Sequence, residues 1–156
     1  LAHFAQSKGV DISYIEEMPL GLIDEHDRAL SFCSSAEVRE ILESHYQLQE
    51  VDDSTGGPSR YCRIPGSDAR IGFISPHSNN FCHLCNRERV TVEGRLLLCL
   101  GNEHSLDLRA ILRDPASTDD DLRQAIVTSM DLKPEQHHFD LEAEPDIVRF
   151  MNMTGG

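Results

Sequence analysis

Three of the five cysteines, Cys82, Cys85 and Cys99, stand at C-x2-C-x13-C spacing, and Arg87 and Arg89 follow the tight pair at once. Thiolates gather round a soft metal when a short loop and a returning strand bring them together, and this spacing offers both. A structural zinc takes four ligands, and His104, at C-x4-H from Cys99, supplies a fourth. An iron–sulfur cluster usually takes four cysteines, and three on a four-iron cluster leave one iron open to a substrate. Spacing alone favours zinc and leaves the cluster open. Asn86-Arg87-Glu88-Arg89 opens a predicted strand, where alternation puts Arg87 and Arg89 on one face and Glu88 on the other. Two planar guanidinium forks on one side match the oxygens of a phosphate chain. The plainer alternative is a pair of surface arginines. Cys33 and Cys62 are isolated and are expected to be buried small hydrophobes.

The elements that must position these residues read as follows. Leu1, Phe4, Ala5 and Lys8 lie at helical spacing with Gly9 as a C-cap, and Val10 to Met18 is a strand ended by Pro19. A helix feeding a strand through one glycine is half of a βα repeat, so the chain reads as a fragment entered within a larger α/β structure. Leu20 to Phe32 is polar and irregular. Ser34-Ser35-Ala36-Glu37 is a capping box that opens an amphipathic helix to about Tyr46. The loop Ser54-Thr55-Gly56-Gly57-Pro58 is the expected boundary between two halves; no Lys-Ser/Thr follows it, so it is a turn and not a P-loop. Strands are predicted over Arg60–Ile64 and Arg70–Ser75. A hairpin over Arg87–Val92 and Arg95–Leu100, turning at Glu93-Gly94, returns Cys99 toward Cys85. Helices are predicted from Ser105 to Arg113 and from Thr118 to Met130, the second with Asp119, Asp120 and Asp121 favouring its N-terminal dipole. His137-His138 has no third ligand spaced with it and reads as structural. Val148 to Met153 reads as a short apolar strand before the Gly155-Gly156 tail.

Composition narrows the function. The 156 residues carry 14 basic and 27 acidic side chains, a net charge of −13, which repels any polyanion and excludes a general binder of nucleic acid or anionic membrane. No apolar run reaches the roughly 18 residues a membrane span needs. An odd cysteine count and no secretory leader point to a reducing compartment, the cytoplasm, without a disulfide framework. From Arg60 to Arg95, six arginines face three acids, a local +3 that leaves −16 for the remainder. A basic island in an acidic chain suits a small anion bound at one place, or is chance segregation of solvated charge.

Gly57-Pro58-Ser59-Arg60-Tyr61, Arg70-Ile71-Gly72-Phe73-Ile74-Ser75-Pro76, Phe81-Cys82 with Cys85-Asn86-Arg87 and Arg89, Gly94 with Leu96, Cys99-Leu100 and a terminal Gly155-Gly156 occur in one order. Together they resemble the C-terminal half of the GTP 3',8-cyclase family, the radical S-adenosylmethionine (SAM) enzymes of molybdenum cofactor biosynthesis. Ile15-Glu16-Glu17-Met18-Pro19-Leu20, Lys133-Pro134-Glu135 and His137-His138 fit as well, so the resemblance covers essentially the whole chain.

The resemblance implies an α+β fold: a C-terminal cluster-binding region of antiparallel strands and helices, plus the last βα element of an incomplete (βα)6 TIM barrel. Residues 1–50 would be that element and its linker, and 51–156 the cluster- and GTP-binding domain. It implies a second [4Fe-4S] cluster on Cys82, Cys85 and Cys99, with guanine at its open iron. GTP would lie along Arg87, Glu88 and Arg89, SAM against the backbone around Met18, and the Gly155-Gly156 tail would reach the active site. The SAM-cleaving cluster belongs on a C-x3-C-x2-C motif that this sequence lacks. The expected partners are therefore GTP, SAM and the chain's own missing N-terminal half, with no nucleic acid or membrane, in a monomer or homodimer. This part alone is expected to be inactive. The sequence departs from the family at Ser13, where many members carry arginine, and at Glu88, where an apolar residue is common. The alternative from another class is a zinc-stabilised interaction module on Cys82, Cys85, Cys99 and His104.

Overall fold

The structure, a computed structural model, describes residues 1–143, 149 and 151–154. The elements run α1 (Ala2–Lys8), β1 (Ile12–Ile15), α2 (Arg28–Ser31), α3 (Ser35–Glu43), β2 (Gln49–Val51), β3 (Arg60–Arg63), β4 (Arg70–Ile74), β5 (Arg89–Val90), β6 (Arg95–Leu97), β7 (Ser105–Asp107), α4 (Leu108–Arg113) and α5 (Asp119–Ser129). The fold is α+β and its two sheets are largely antiparallel. The chain divides into two compact units, Leu1–Met18 with Leu30–Leu84, and Pro19–Ala29 with Cys85–Gly156. No helix among the described residues is long and apolar enough to cross a membrane.

In the first unit a four-stranded sheet has the order β1-β4-β3-β2. β1 runs parallel to β4, Ile12 opposite Ile71 and Ile15 opposite Ile74, and the remaining pairs are antiparallel. Gly9 ends α1 at φ 63°, the left-handed conformation that costs a glycine least, and so turns the helix into β1. Ser34 caps α3 with a full capping box to Glu37. Both helices send small or apolar residues, Ala2 and Leu42, into one core with Cys62, Ile71 and Phe73. Burying a side chain such as Ile71 contributes about 1.5–3 kcal/mol. The residue 50/51 position falls inside β2, and the glycine-rich loop after it joins β2 to β3, hydrogen-bonded neighbours with Val51 opposite Tyr61. Ser13 lies over Gly72, where any Cβ would collide with the Ser13 and Ser59 side chains, and its Oγ is 3.2 Å from Ser59 Oγ.

In the second unit the hairpin forms as predicted, though with short arms. Arg89 opposes Leu97 and Val90 opposes Leu96. Its turn needs Gly94 at φ 81°, and the Gly94 carbonyl accepts from the backbone N–H of Leu108 and of Arg109. Ser105–Asp107, expected to open a helix, is instead β7, paired to β6 with Leu96 opposite Leu106. The helix begins only after Asp107, whose side chain caps Ala110 N at 2.9 Å. α5 starts at a Thr118–Asp121 capping box, so Asp121 serves the helix itself. Leu96 and Leu97 of β6 and the following Leu98 are all buried. Of the strand predicted over Val148 to Met153, Val148 and Phe150 lie outside the described residues, and Met151–Thr154 forms a 3-10 turn in place of the expected extended backbone.

Candidate functional site

In the second unit the ladder between β5 and β6 stops at Arg89 and Leu97. Cys85 and Arg87 precede β5 in irregular backbone, and Leu98 and Cys99 follow β6. Arg87 therefore lies outside the strand, and the alternation expected to align it with Arg89 does not apply; β5 is only two residues long. Where the ladder ends, Lys133 takes over. Its Nζ donates to the Arg87 carbonyl at 2.7 Å, the Leu98 carbonyl at 2.7 Å and Glu88 Oε1 at 2.9 Å. Glu88 is thus committed to an ion pair with Lys133. Of the basic island, Arg63 pairs with Asp53 at 2.7 Å, Arg70 with Asp11 at 2.6 Å, and Arg95 with Asp107 at 3.6 Å. Those three arginines are structural, which leaves Arg60, on the wall of a cleft in the first unit, and the short Arg87–Arg89 stretch in the second as the cations that could meet an anion.

In the first unit Cys82 opens a single 3-10 turn, Cys82–Leu84, and its N–H donates to Asn80 Oδ1 at 2.8 Å. Met18 is half-buried in irregular backbone three residues beyond β1. Two residues before Met18 stands a side chain to which the sequence reading gave no role. Glu16 is 3% exposed, and its carboxylate accepts from Ser35 N at 2.8 Å and from His77 N and Ser78 N at 3.0 Å each. Ser78 Oγ donates to it as well. Burial pushes the carboxyl up, yet the hydrogen bonds from Ser35, Ser78 and His77 outweigh that and hold it below the ordinary glutamate value. Glu16 therefore ties the end of β1 to the N-terminus of α3 and to the turn after β4. The signal was present: an acid directly after an apolar strand, before Met-Pro, ought to have prompted a search for buried donors.

All five cysteines are thiols outside any disulfide. Cys62 is buried as expected, and burial pushes its thiol up, which suits an inert core residue. Cys33 is exposed, contrary to expectation, because it sits in the connection before the Ser34 cap rather than on the helix face. Cys82, Cys85 and Cys99 are partly exposed, unlike the buried Cys62. Among the described residues no three His, Cys, Asp or Glu side chains stand as a preassembled metal site. His104 is exposed and its Nδ1 is 3.2 Å from the Leu132 carbonyl. His137 packs on Phe139, ring centroids 4.0 Å apart, against Gly101, so it has the structural role expected of it. Gly155 and Gly156 lie outside the described residues. A cleft of about 620 Å³ in the first unit, walled by Arg39, Asp53, Arg60, Tyr61 and Ser75, contains none of the predicted site residues.

Residues 10–139 match the family described as Molybdenum Cofactor Synthesis C. The whole chain is 62% identical over 156 residues to a protein of Marinobacter nauticus named GTP 3',8-cyclase. It is 56% identical to the proteins of that name from Saccharophagus degradans and Pseudomonas entomophila. In each case the alignment takes in 100% of this chain and 47% of the relative, so the chain spans about half the length of the curated relatives it matches.

Proposed function

The chain belongs to the Molybdenum Cofactor Synthesis C family, and from that premise we propose that it is the cluster- and GTP-binding part of a GTP 3',8-cyclase. The observation that carries the proposal is identity along the entire chain to proteins of that name, 62% in the M. nauticus case. The donor chemistry fits. Three partly exposed thiols, Cys82, Cys85 and Cys99, would hold a [4Fe-4S] cluster and leave one iron without a protein ligand for guanine. Arg87 and Arg89 would bind the triphosphate through paired, charge-assisted hydrogen bonds, Glu88 serving between them through Lys133. The backbone around Met18 would lie against SAM, and the Gly155-Gly156 tail would approach the reacting nucleotide where side chains find no room.

The SAM-cleaving cluster and SAM, when bound, would supply the radical chemistry, and Cys82, Cys85, Cys99, Arg87 and Arg89 of this chain would hold the GTP on which it acts. This chain's residues hold the nucleotide at both ends, base and triphosphate, so that C3' and C8 keep attack geometry. The chain has no C-x3-C-x2-C motif for the radical-generating cluster, so by itself it is expected to bind and not to turn over. We further propose that residues 1–50, in which α1 is joined to β1 through Gly9, form the last βα element of a partial TIM barrel and its linker.

The zinc reading keeps one favourable observation. A carbonyl only accepts, so the His104–Leu132 contact makes Nδ1 the donor and leaves Nε2 as the lone-pair nitrogen, a common arrangement for a metal-ligating histidine. Titration of the iron-reconstituted chain with GTP separates the readings. Under the cyclase reading, Arg87→Ala and Arg89→Ala each weaken GTP binding roughly tenfold or more, the worth of a charged hydrogen bond. Arg63→Ala, which breaks the Asp53 pair and the bond to the Asp68 carbonyl, leaves the affinity as it was. Equal affinity in all four proteins would remove the arginines from the site.

A further inference from the structure

We infer that Lys133 is a positioning residue that sets the spacing between the arm carrying Cys85 and Arg87 and the arm carrying Cys99. The inference rests on the reading of this segment as the cluster- and GTP-binding site, and extends it to a residue that touches neither ligand.

Continuing the register past Arg89 and Leu97 would oppose Glu88 to Leu98 and Arg87 to Cys99. No ladder pair forms there, so the arms separate just where the thiols and the phosphate forks must be presented. An ammonium has three donors in a compact tetrahedral array, and Lys133 uses them on the Arg87 carbonyl, the Leu98 carbonyl and Glu88 Oε1 at 2.7, 2.7 and 2.9 Å. Two of the three acceptors are main-chain carbonyls, one on each arm, so the clamp acts on backbone whatever the side chains do. Its side chain is 21% exposed, and of the three bonds the one to the Leu98 carbonyl is partly buried and so the most sheltered from competing water. The clamp is itself anchored. Lys133 N donates to the Met130 carbonyl at 3.0 Å, closing the 3-10 turn Met130–Leu132, and Leu132 accepts from His104 on the β6–β7 connection. Pro134 restricts the backbone on the other side. A planar guanidinium cannot fill the same point-like position between two carbonyls, so arginine is a poor replacement.

The test compares the unsubstituted chain with Lys133→Met and Lys133→Arg. Hydrogen exchange is measured on the metal-free protein, and GTP affinity after anaerobic iron reconstitution. Lys133→Met is expected to speed exchange roughly tenfold in peptides covering residues 85–90 and 97–101, with peptides from β3 and β4 unchanged. It is also expected to weaken GTP binding about tenfold while the cluster stays bound. Lys133→Arg, which keeps the charge beside Glu88, is expected to loosen the 97–101 peptide and to recover only part of the GTP affinity. Should Lys133→Met unfold, the arginine variant decides alone, and unsubstituted exchange with full GTP affinity in it overturns the clamp. Unchanged exchange in both peptides of a folded Lys133→Met also overturns it. If the unsubstituted chain takes up no iron and no GTP while Lys133→Met still loosens both arms, the clamp stands and the cyclase reading falls.

Discussion

Glu16 and Lys133 solve one physical problem with opposite charges. Each is an ion at most partly exposed whose partners are mainly backbone groups from separate segments, with one side-chain partner each, Ser78 for Glu16 and Glu88 for Lys133, which makes the ion a tie rather than a liability. Glu16→Gln keeps the shape but removes the charge that strengthens bonds from Ser35, His77 and Ser78. The expected loss is about 2 kcal/mol in denaturant unfolding, in the range measured for hydrogen bonds to charged groups. A loss below about 0.5 kcal/mol would show that the carboxylate is dispensable to the joint. Neither residue announces its partners in the sequence, because the donors of Glu16 lie 19 to 62 positions away.

At the scale of elements, local chemistry was the readable part. Gly9, the Ser34–Glu37 box, the Gly94 turn and the Thr118 start each act within a few residues, and each stands where the pattern put it. What the pattern missed was decided by pairing. Ser105–Asp107 follows a histidine and precedes an apolar helical run, so it read as the first turn of α4, whereas β6 recruits it as a third strand. Gln49–Val51 is too short to carry a period and becomes a strand only because β3 lies beside it. Arg87 was placed on a strand whose observed length is two residues, since Lys133 and not a ladder holds that arm. The spacing that proposes Cys82, Cys85, Cys99 and the arginine pair as a site is local and readable, whereas the Lys133 contacts to the Arg87 and Leu98 carbonyls join distant positions and are not. For α3, only nine residues long, the cap matters. Ser34→Ala is expected to cost about 1 kcal/mol and to lower the thermal midpoint by roughly 2–4 °C. A midpoint that does not move would mean tertiary packing alone sets the start of the helix.

For the molecule as a whole, the acidic balance and the carboxylate partners give the pH response a definite sign. Side-chain and backbone hydrogen bonds from Arg70 hold the Asp11 carboxyl below its ordinary 3.8, and Glu16 is held below its ordinary 4.5. Glu37 and Asp121 are lowered likewise by their capping serine and threonine. Groups with depressed folded values stabilise fully above their unfolded values, and the stabilisation is lost as pH falls through the folded ones. Thermal stability is therefore expected to hold steady near neutrality and to fall progressively once pH drops below about 4.5. In Glu16→Gln that fall should be visibly shallower, and an identical slope would contradict the assignment. The net charge of −13 works against binding a triphosphate, so on the proposed function GTP affinity is expected to depend on Arg87 and Arg89.

The central claim is most directly tested by reconstituting the chain anaerobically with iron and sulfide, counting iron, sulfide and zinc, and following the reduced protein by electron paramagnetic resonance as GTP is added. The account predicts about four irons per chain and a spectrum that GTP alters. Tightly held zinc at about one per chain, with no response to GTP, would contradict it and leave the zinc module in its place.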